Sequence, residues 1–319
     1  MTTVWAIAFA VRMVCAARLV STAELVLRWS QTNSTGLLNY RITEFSSPLP
    51  KSRLVQPAET GIRWLNRDHF GALVAVDACL SAALLVRPQT APLIALAAIS
   101  QLWIMKRGYL ANDGADQLIL IILVTAALGL LSGRALGAWA AVSFLAAQAC
   151  LAYFVSGIYK ASSPRWVRGD ALAGILSTRA FGDIRVGKLL NNRRWLALAS
   201  TWIVLIWECC FASSLLAPVR LLIVILALGV VFHLSCGVFM GLTNFLLAFT
   251  ATYPSVILVN RVLRPHIPAV GFWLLLAVCL ASIAIVTWRT VTRPERAADA
   301  RPRPRPAPAQ PPAAHAVKS

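Results

Sequence analysis

Apolar positions in this chain come in long unbroken runs and do not alternate with polar ones. Eight runs approach the roughly 20 residues that a membrane-crossing helix needs. They lie at about 4–27, 69–86, 91–105, 117–132, 135–158, 195–217, 221–240 and 269–288. The first is the weakest, because it holds Arg12, Arg18 and Glu24. A ninth run, 242–259, follows Gly237 and Gly241 and is interrupted by Pro254. It reads as a span, a kinked continuation or a re-entrant segment. Run length and the lack of alternation argue for helices and against a barrel. The pattern predicts an all-α integral membrane protein, a polytopic helical bundle of about seven to nine transmembrane helices.

Composition narrows the solvent to lipid. The 319 residues are 58% hydrophobic and 13% charged, and soluble domains carry about twice that share of charge. The net charge of +18 would ordinarily raise nucleic acid as a partner. Here the basic residues lie between apolar runs and in the tail, the pattern of loops flanking membrane spans, so no nucleic-acid partner is expected. The expected environment is the lipid bilayer, and the expected location a multi-pass place in the cell membrane. Two connections are long and basic, 28–68 and 160–194. They share a side if five spans precede the second. The basic tail joins them only if the total is odd, which favours seven or nine spans with the N-terminus outside. Nine is the number adopted, with 242–259 embedded. The membrane domain is read as 1–288. Residues 289–319, with the run RPRPRPAPAQPP, are read as a disordered Pro/Arg-rich arm. Seven cysteines fall in or beside apolar runs without a CxxC, so neither a redox pair nor a zinc ribbon is supported.

Ionisable side chains within spans are expensive, about 2.5–3.5 kcal/mol at the centre on insertion scales, and mark sites or internal pairs. Arg12, Arg18, Glu24, Asp77, Glu208 and His233 are in this class. Glu208 is too short to reach the interface and is expected to face the bundle interior, with Arg18 as its partner. His233 has no second histidine at i+3 or i+4, so no metal site is expected. In LAYFVSGIYKASSPRWVRGD, 151–170, Tyr153, Gly157 and Lys160 share one helix face. Gly157 lets a neighbouring helix or a ligand approach the backbone. Lys160 sits where the apolar run ends. A desolvated lysine amine is a competent general base; an ordinary lysine there snorkels to the headgroups, with Trp166 as an interfacial anchor.

Four stretches, in this order, resemble one family. They are RLVSTAELVLRW (18–29), RGYLANDGADQLILI (107–121), YFVSGIYKASSPRWVRGDAL (153–172) and ECCFASSLLAPVRLLIVILALGVVFHLSCGVFMGLTNF (208–245). Together they are similar to the HTTM domain shared with the vitamin K-dependent gamma-glutamyl carboxylases. The likeness covers the membrane part and not the tail. It implies a membrane-embedded enzyme, carboxylase-like, acting as a lyase or oxidoreductase on a quinol or a peptide. In the carboxylases a lysine of the Gly–x–x–Lys block is the base toward the hydroquinone, and Lys160 holds that position. By the same likeness Glu208 and His233 join Lys160 as catalytic candidates. Arg18, Tyr153, Gly157 and Trp166 become the candidates for holding a cofactor, with a quinol the one implied.

The chain also departs from the family. It reads Asn112-Asp113-Gly114-Ala115-Asp116 where the carboxylases carry a histidine that assists carboxylation. After the spans it has a Pro/Arg tail in place of their large substrate-binding domain, so gamma-carboxylation of a protein substrate is not expected. The carboxylases expose the lysine end away from the cytoplasm, whereas the charge pattern places Lys160 inside. Smaller bacterial members include one that resembles a maturation factor for a secreted toxic peptide. The alternative reading is therefore a non-catalytic membrane factor for maturation, export or immunity of a secreted peptide. A secondary transporter would need paired broken helices, and only 221–259 looks broken.

Overall fold

The computed structural model describes residues 1–32, 69–107, 112–178 and 182–292. Among the described residues the chain is helical, with no strand. It opens with α1 (Thr3–Leu27) and a 3₁₀ turn (Trp29–Thr32). Four apolar helices follow: α2 (Phe70–Val86), α3 (Ala91–Arg107), α4 (Gly114–Leu131) and α5 (Ala135–Ala161). Three short helices come next, α6 (Pro164–Val167), α7 (Asp170–Leu176) and α8 (Ile184–Asn192). Then come α9 (Arg194–Cys210), prolonged by a 3₁₀ turn (Phe211–Leu215), and α10 (Val219–Met240). The last are α11 (Thr243–Thr250), α12 (Tyr253–Leu263) and α13 (Ala269–Thr292).

Seven stretches are long and apolar enough to cross a membrane: α1, α4, α5, α9 with its turn, α10, α11–α12 taken together, and α13. The hairpin of α2 and α3, each of 17 residues, falls short of that length. The 242–259 run is a broken helix. Its break lies at Ala251–Thr252, and Pro254 takes the first turn of α12, where a missing N–H costs little. The last helix runs on to Thr292, past the expected boundary at 288. The expected disorder of the remaining tail concerns 293–319, outside the described residues.

Local signals explain the ends. Thr2 caps α1 by accepting a hydrogen bond from Trp5 N–H at 3.2 Å. The Asn/Gly/Asp segment opens α4: Asp113 and Asp116 form a reciprocal capping box. Asn112, just before this box, donates to the Met105 carbonyl on α3 at 2.6 Å.

Two hydrogen bonds set the topology. Asn244, at the start of α11, donates to Ser21, near the end of α1, at 2.7 Å. Thr290, near the end of α13, donates to the Ala161 carbonyl at the end of α5 at 3.1 Å. The exits of α1, α5 and α13 therefore share one face. The two long basic connections and the tail leave from that face, as an odd span count requires. The α2–α3 hairpin adds two crossings or none, so seven and nine are the same in this respect. The opposite end carries Arg87, Arg134, Arg220, Arg261 and Arg264.

The centre of the bundle is α1, α4, α5 and α12, closely packed through small side chains such as Ala10, Ala17, Ala141, Ala146 and Ala149. Small residues let helix backbones approach where lipid supplies no hydrophobic drive. The outer surface is strongly apolar: Leu136, Leu128, Val238, Trp273 and Trp288 are all exposed. Such a surface suits hydrocarbon and not water.

Candidate functional site

Helix α5 brings three polar side chains to one side, Tyr153, Ser156 and Lys160. Glu208 reaches them from the last turn of α9. Lys160 Nζ lies 2.6 Å from both carboxylate oxygens of Glu208. It also donates to Ser156 Oγ at 2.7 Å, and Ser156 donates to Glu208 Oε1 at 3.3 Å. The ammonium stands 5.4 Å from the Trp166 ring centre. The Glu208 side chain is 3% exposed and that of Lys160 18%, so the pair is anchored inside and open on the lysine side.

Gly157 explains how two helices come this close. A Cβ there would collide with Cys209 Sγ and stand 3.1 Å from the Cys209 backbone nitrogen. Of the two roles expected for this glycine, helix approach is the one observed. It lies at the α5–α9 crossing and not among the residues that line the cavity below.

About two turns deeper, Tyr153 Oη lies 2.7 Å from His233 Nε2 and 3.0 Å from Tyr253 Oη. His233 is held by rings. Phe249 stacks on it at 4.5 Å between centres, and Phe232 meets it edge-on at 4.9 Å. Gly229 lets this region close, since a Cβ there would strike Tyr253 Oη and stand 2.8 Å from Trp207.

Between these two polar groups lies a cavity of about 540 Å³. Tyr153, Lys160, Trp166, Glu208 and His233 all line it, and the short helices close its end with Leu172, Leu176 and Leu190. The remaining wall is almost wholly apolar. Ile203 on α9 and Leu228, Val231 and Phe239 on α10 line the cavity and are also exposed on the outer surface. The cavity therefore has a mouth between α9 and α10, facing the hydrocarbon. Helix α10 leans chiefly on α11 and on the turn after α9, which leaves that mouth unfilled.

Arg18 is elsewhere, and its expected pairing with Glu208 is corrected. Its guanidinium pairs with Asp77 on α2 and donates to Ser100 on α3 at 2.7 Å. Ser100 also donates to Asp77 at 2.7 Å. This buried cluster borders a separate pocket of about 60 Å³, shared with Ser21, Gln101 and Asp116. Asp77 is the nearer acid because α1 packs along α2. Glu208 is already neutralised by Lys160. Arg12, another ionisable residue of α1, donates to the Leu85 carbonyl at 3.0 Å.

The structure thus gathers Lys160, Glu208, His233, Tyr153 and Trp166 around one cavity and leaves out Arg18 and Gly157. It adds Ser156 and Trp207 to the wall, and behind Tyr153 it places Tyr253, which does not line the cavity. Ser156 had a signal, one helical turn before Lys160 on the same face. Tyr253 had none, since only the broken helix turns it toward Tyr153.

Compared with protein-family models, curated proteins and solved structures, the chain matches none.

Proposed function

We propose that this protein is a membrane-embedded enzyme of the HTTM type, resident in the cell membrane. It takes a lipid-soluble substrate, a quinol by family resemblance, from the bilayer into the cavity between α9 and α10. The observation that carries this reading is a lysine and a glutamate in direct contact on the wall of an apolar cavity of about 540 Å³.

The chemistry follows from the pair. In a medium of low dielectric, a charged pair and a neutral pair lie closer in free energy than in water. A proton passing from Lys160 Nζ to a Glu208 oxygen leaves a neutral amine and a carboxylic acid. The amine then removes a proton from a substrate hydroxyl and becomes ammonium again. Ser156 holds the pair in register, and Trp166 covers the ammonium. The 18% exposure of the Lys160 side chain fits a base that must touch its substrate.

The rival reading, a non-catalytic factor for a secreted peptide, draws on the same contact. Lys160 has Glu208, Ser156 and Trp166 as partners, and a structural pair would be held in the same way. In the carboxylases the deprotonated hydroquinone is oxygenated by molecular oxygen, and by that resemblance oxygen uptake separates the two. Full-length protein in nanodiscs would be given a reduced short-chain quinol, with empty nanodiscs as the control. The enzyme reading expects uptake above the control that falls at least a hundredfold in Lys160→Met, a loss of the size general-base removal causes. Wild-type uptake equal to the control, or unchanged uptake in a folded Lys160→Met, would reject it.

A further inference from the structure

The hydrogen bonds at the deep end of the cavity have only one economical arrangement. Tyr153 Oη sits between Tyr253 Oη and His233 Nε2. Tyr253 has no other hydrogen-bond partner among the described residues, so its hydroxyl donates to Tyr153. Tyr153 has one proton and one remaining neighbour, so it donates to His233 Nε2. Nε2 is then the acceptor nitrogen, and the ring proton is on Nδ1. Reversing the chain would bury an unmatched tyrosine hydroxyl as well as an unmatched ring nitrogen. This tautomer is assigned from the network.

His233 Nδ1 is buried and has no partner among the described residues, while the residue itself is 1% exposed and lines the cavity. A buried N–H without an acceptor is costly. The rings of Phe232, Phe245 and Phe249 around it contribute no oxygen. Lys160 and Glu208, at the other end, already satisfy each other.

We infer that His233 Nδ1–H is the donor that anchors the cavity's ligand, and that the ligand is a neutral molecule carrying an acceptor oxygen, the phenol oxygen of a quinol or a ketone oxygen, on an apolar body. This rests on the reading of the cavity as a lipid-accessible binding site and adds the polarity of the group bound at its deep end. The phenylalanine rings hold the apolar body, and the donor fixes which end enters first. A ligand with only hydrocarbon at that end leaves the N–H unmatched. One with a charged group there would lose its hydration to a site that holds no free countercharge.

Benzophenone and diphenylmethane test this, since they have similar size and shape and differ by the carbonyl. Radiolabelled forms would be equilibrated with full-length protein in nanodiscs, and empty nanodiscs would correct for partition into lipid. The expected result is about tenfold tighter binding of the ketone, with the preference lost in His233→Phe. Histidine labelled with ¹⁵N should show the His233 proton on Nδ1 in the wild type and not in Tyr153→Phe. Equal binding of both probes by the wild type, or a proton on Nε2, would overturn the acceptor proposal and leave the cavity reading standing. Binding of neither probe would overturn the cavity reading and the proposal with it. Should His233→Phe not fold, the two wild-type measurements decide alone.

Discussion

Lys160 and Glu208 form an ion pair in which one partner is almost fully enclosed. Removing one member of a buried pair strands the other, at a typical cost of 3–5 kcal/mol. Glu208→Leu should therefore destabilise the protein by about 3 kcal/mol, the lower end because Lys160 is partly open. Lys160→Met combined with Glu208→Leu should recover much of the loss, and unfolding in mixed micelles by increasing detergent would measure both. Asp77→Leu should be at least as damaging, because Arg18 is enclosed on every side. Ser100→Ala should cost only about 1 kcal/mol, the worth of an ordinary hydrogen bond. The identities of these residues were legible in the sequence, since an ionisable group inside an apolar run stands out against its surroundings. Their pairing was not. Two acids, Asp77 and Glu208, and two bases, Arg18 and Lys160, admit two neutral pairings, and only helix adjacency chooses between them. Spacing along one helix did bring Tyr153 and Lys160 to a common side, because a helix has a known period. The partner helices supply Tyr253, Trp207 and the exclusion of Arg18, and no period links those to α5.

Helices α5 and α9 touch because nothing but hydrogen stands on Gly157. Gly157→Val should push them apart, at about 1–3 kcal/mol for overpacking, and should weaken the Lys160–Glu208 contact beside it. Thermal unfolding of Gly157→Val against Gly174→Val would check this, since Gly174 has open space around it. All nine apolar runs appear as helices or half-helices, so run length was a sound guide to the elements. The guide was least informative at 242–259, where three readings stood open. Pro254 forces a break only when something holds the two halves in place; here α11 lies along α1 and α10, while α12 packs on α1 and α5. The short helices α6 to α8 were also hidden. They are short and lie in a connection rich in basic residues, and it is their position over the cavity that gives Leu172, Leu176 and Leu190 an apolar wall to complete.

At the scale of the molecule, charge is divided between two ends. The face where α1, α5 and α13 emerge carries the long basic connections, and the positive-inside tendency predicts that it faces the cytoplasm. A membrane-impermeant maleimide should then label Ser162→Cys only from the cytoplasmic side and Arg134→Cys only from the other, in a background with Cys79 replaced by alanine. Labelling of both from one side would contradict the topology. The α2–α3 hairpin has a further consequence. At about 1.5 Å per residue, 17-residue helices reach about 25 Å, against a hydrocarbon thickness of about 30 Å. Hydrophobic mismatch of a few ångströms would be met by local dimpling of the bilayer along this one flank. The protein should consequently unfold at higher temperature in nanodiscs of shorter acyl chains than in thick ones, and within a cell it should drift toward thin patches.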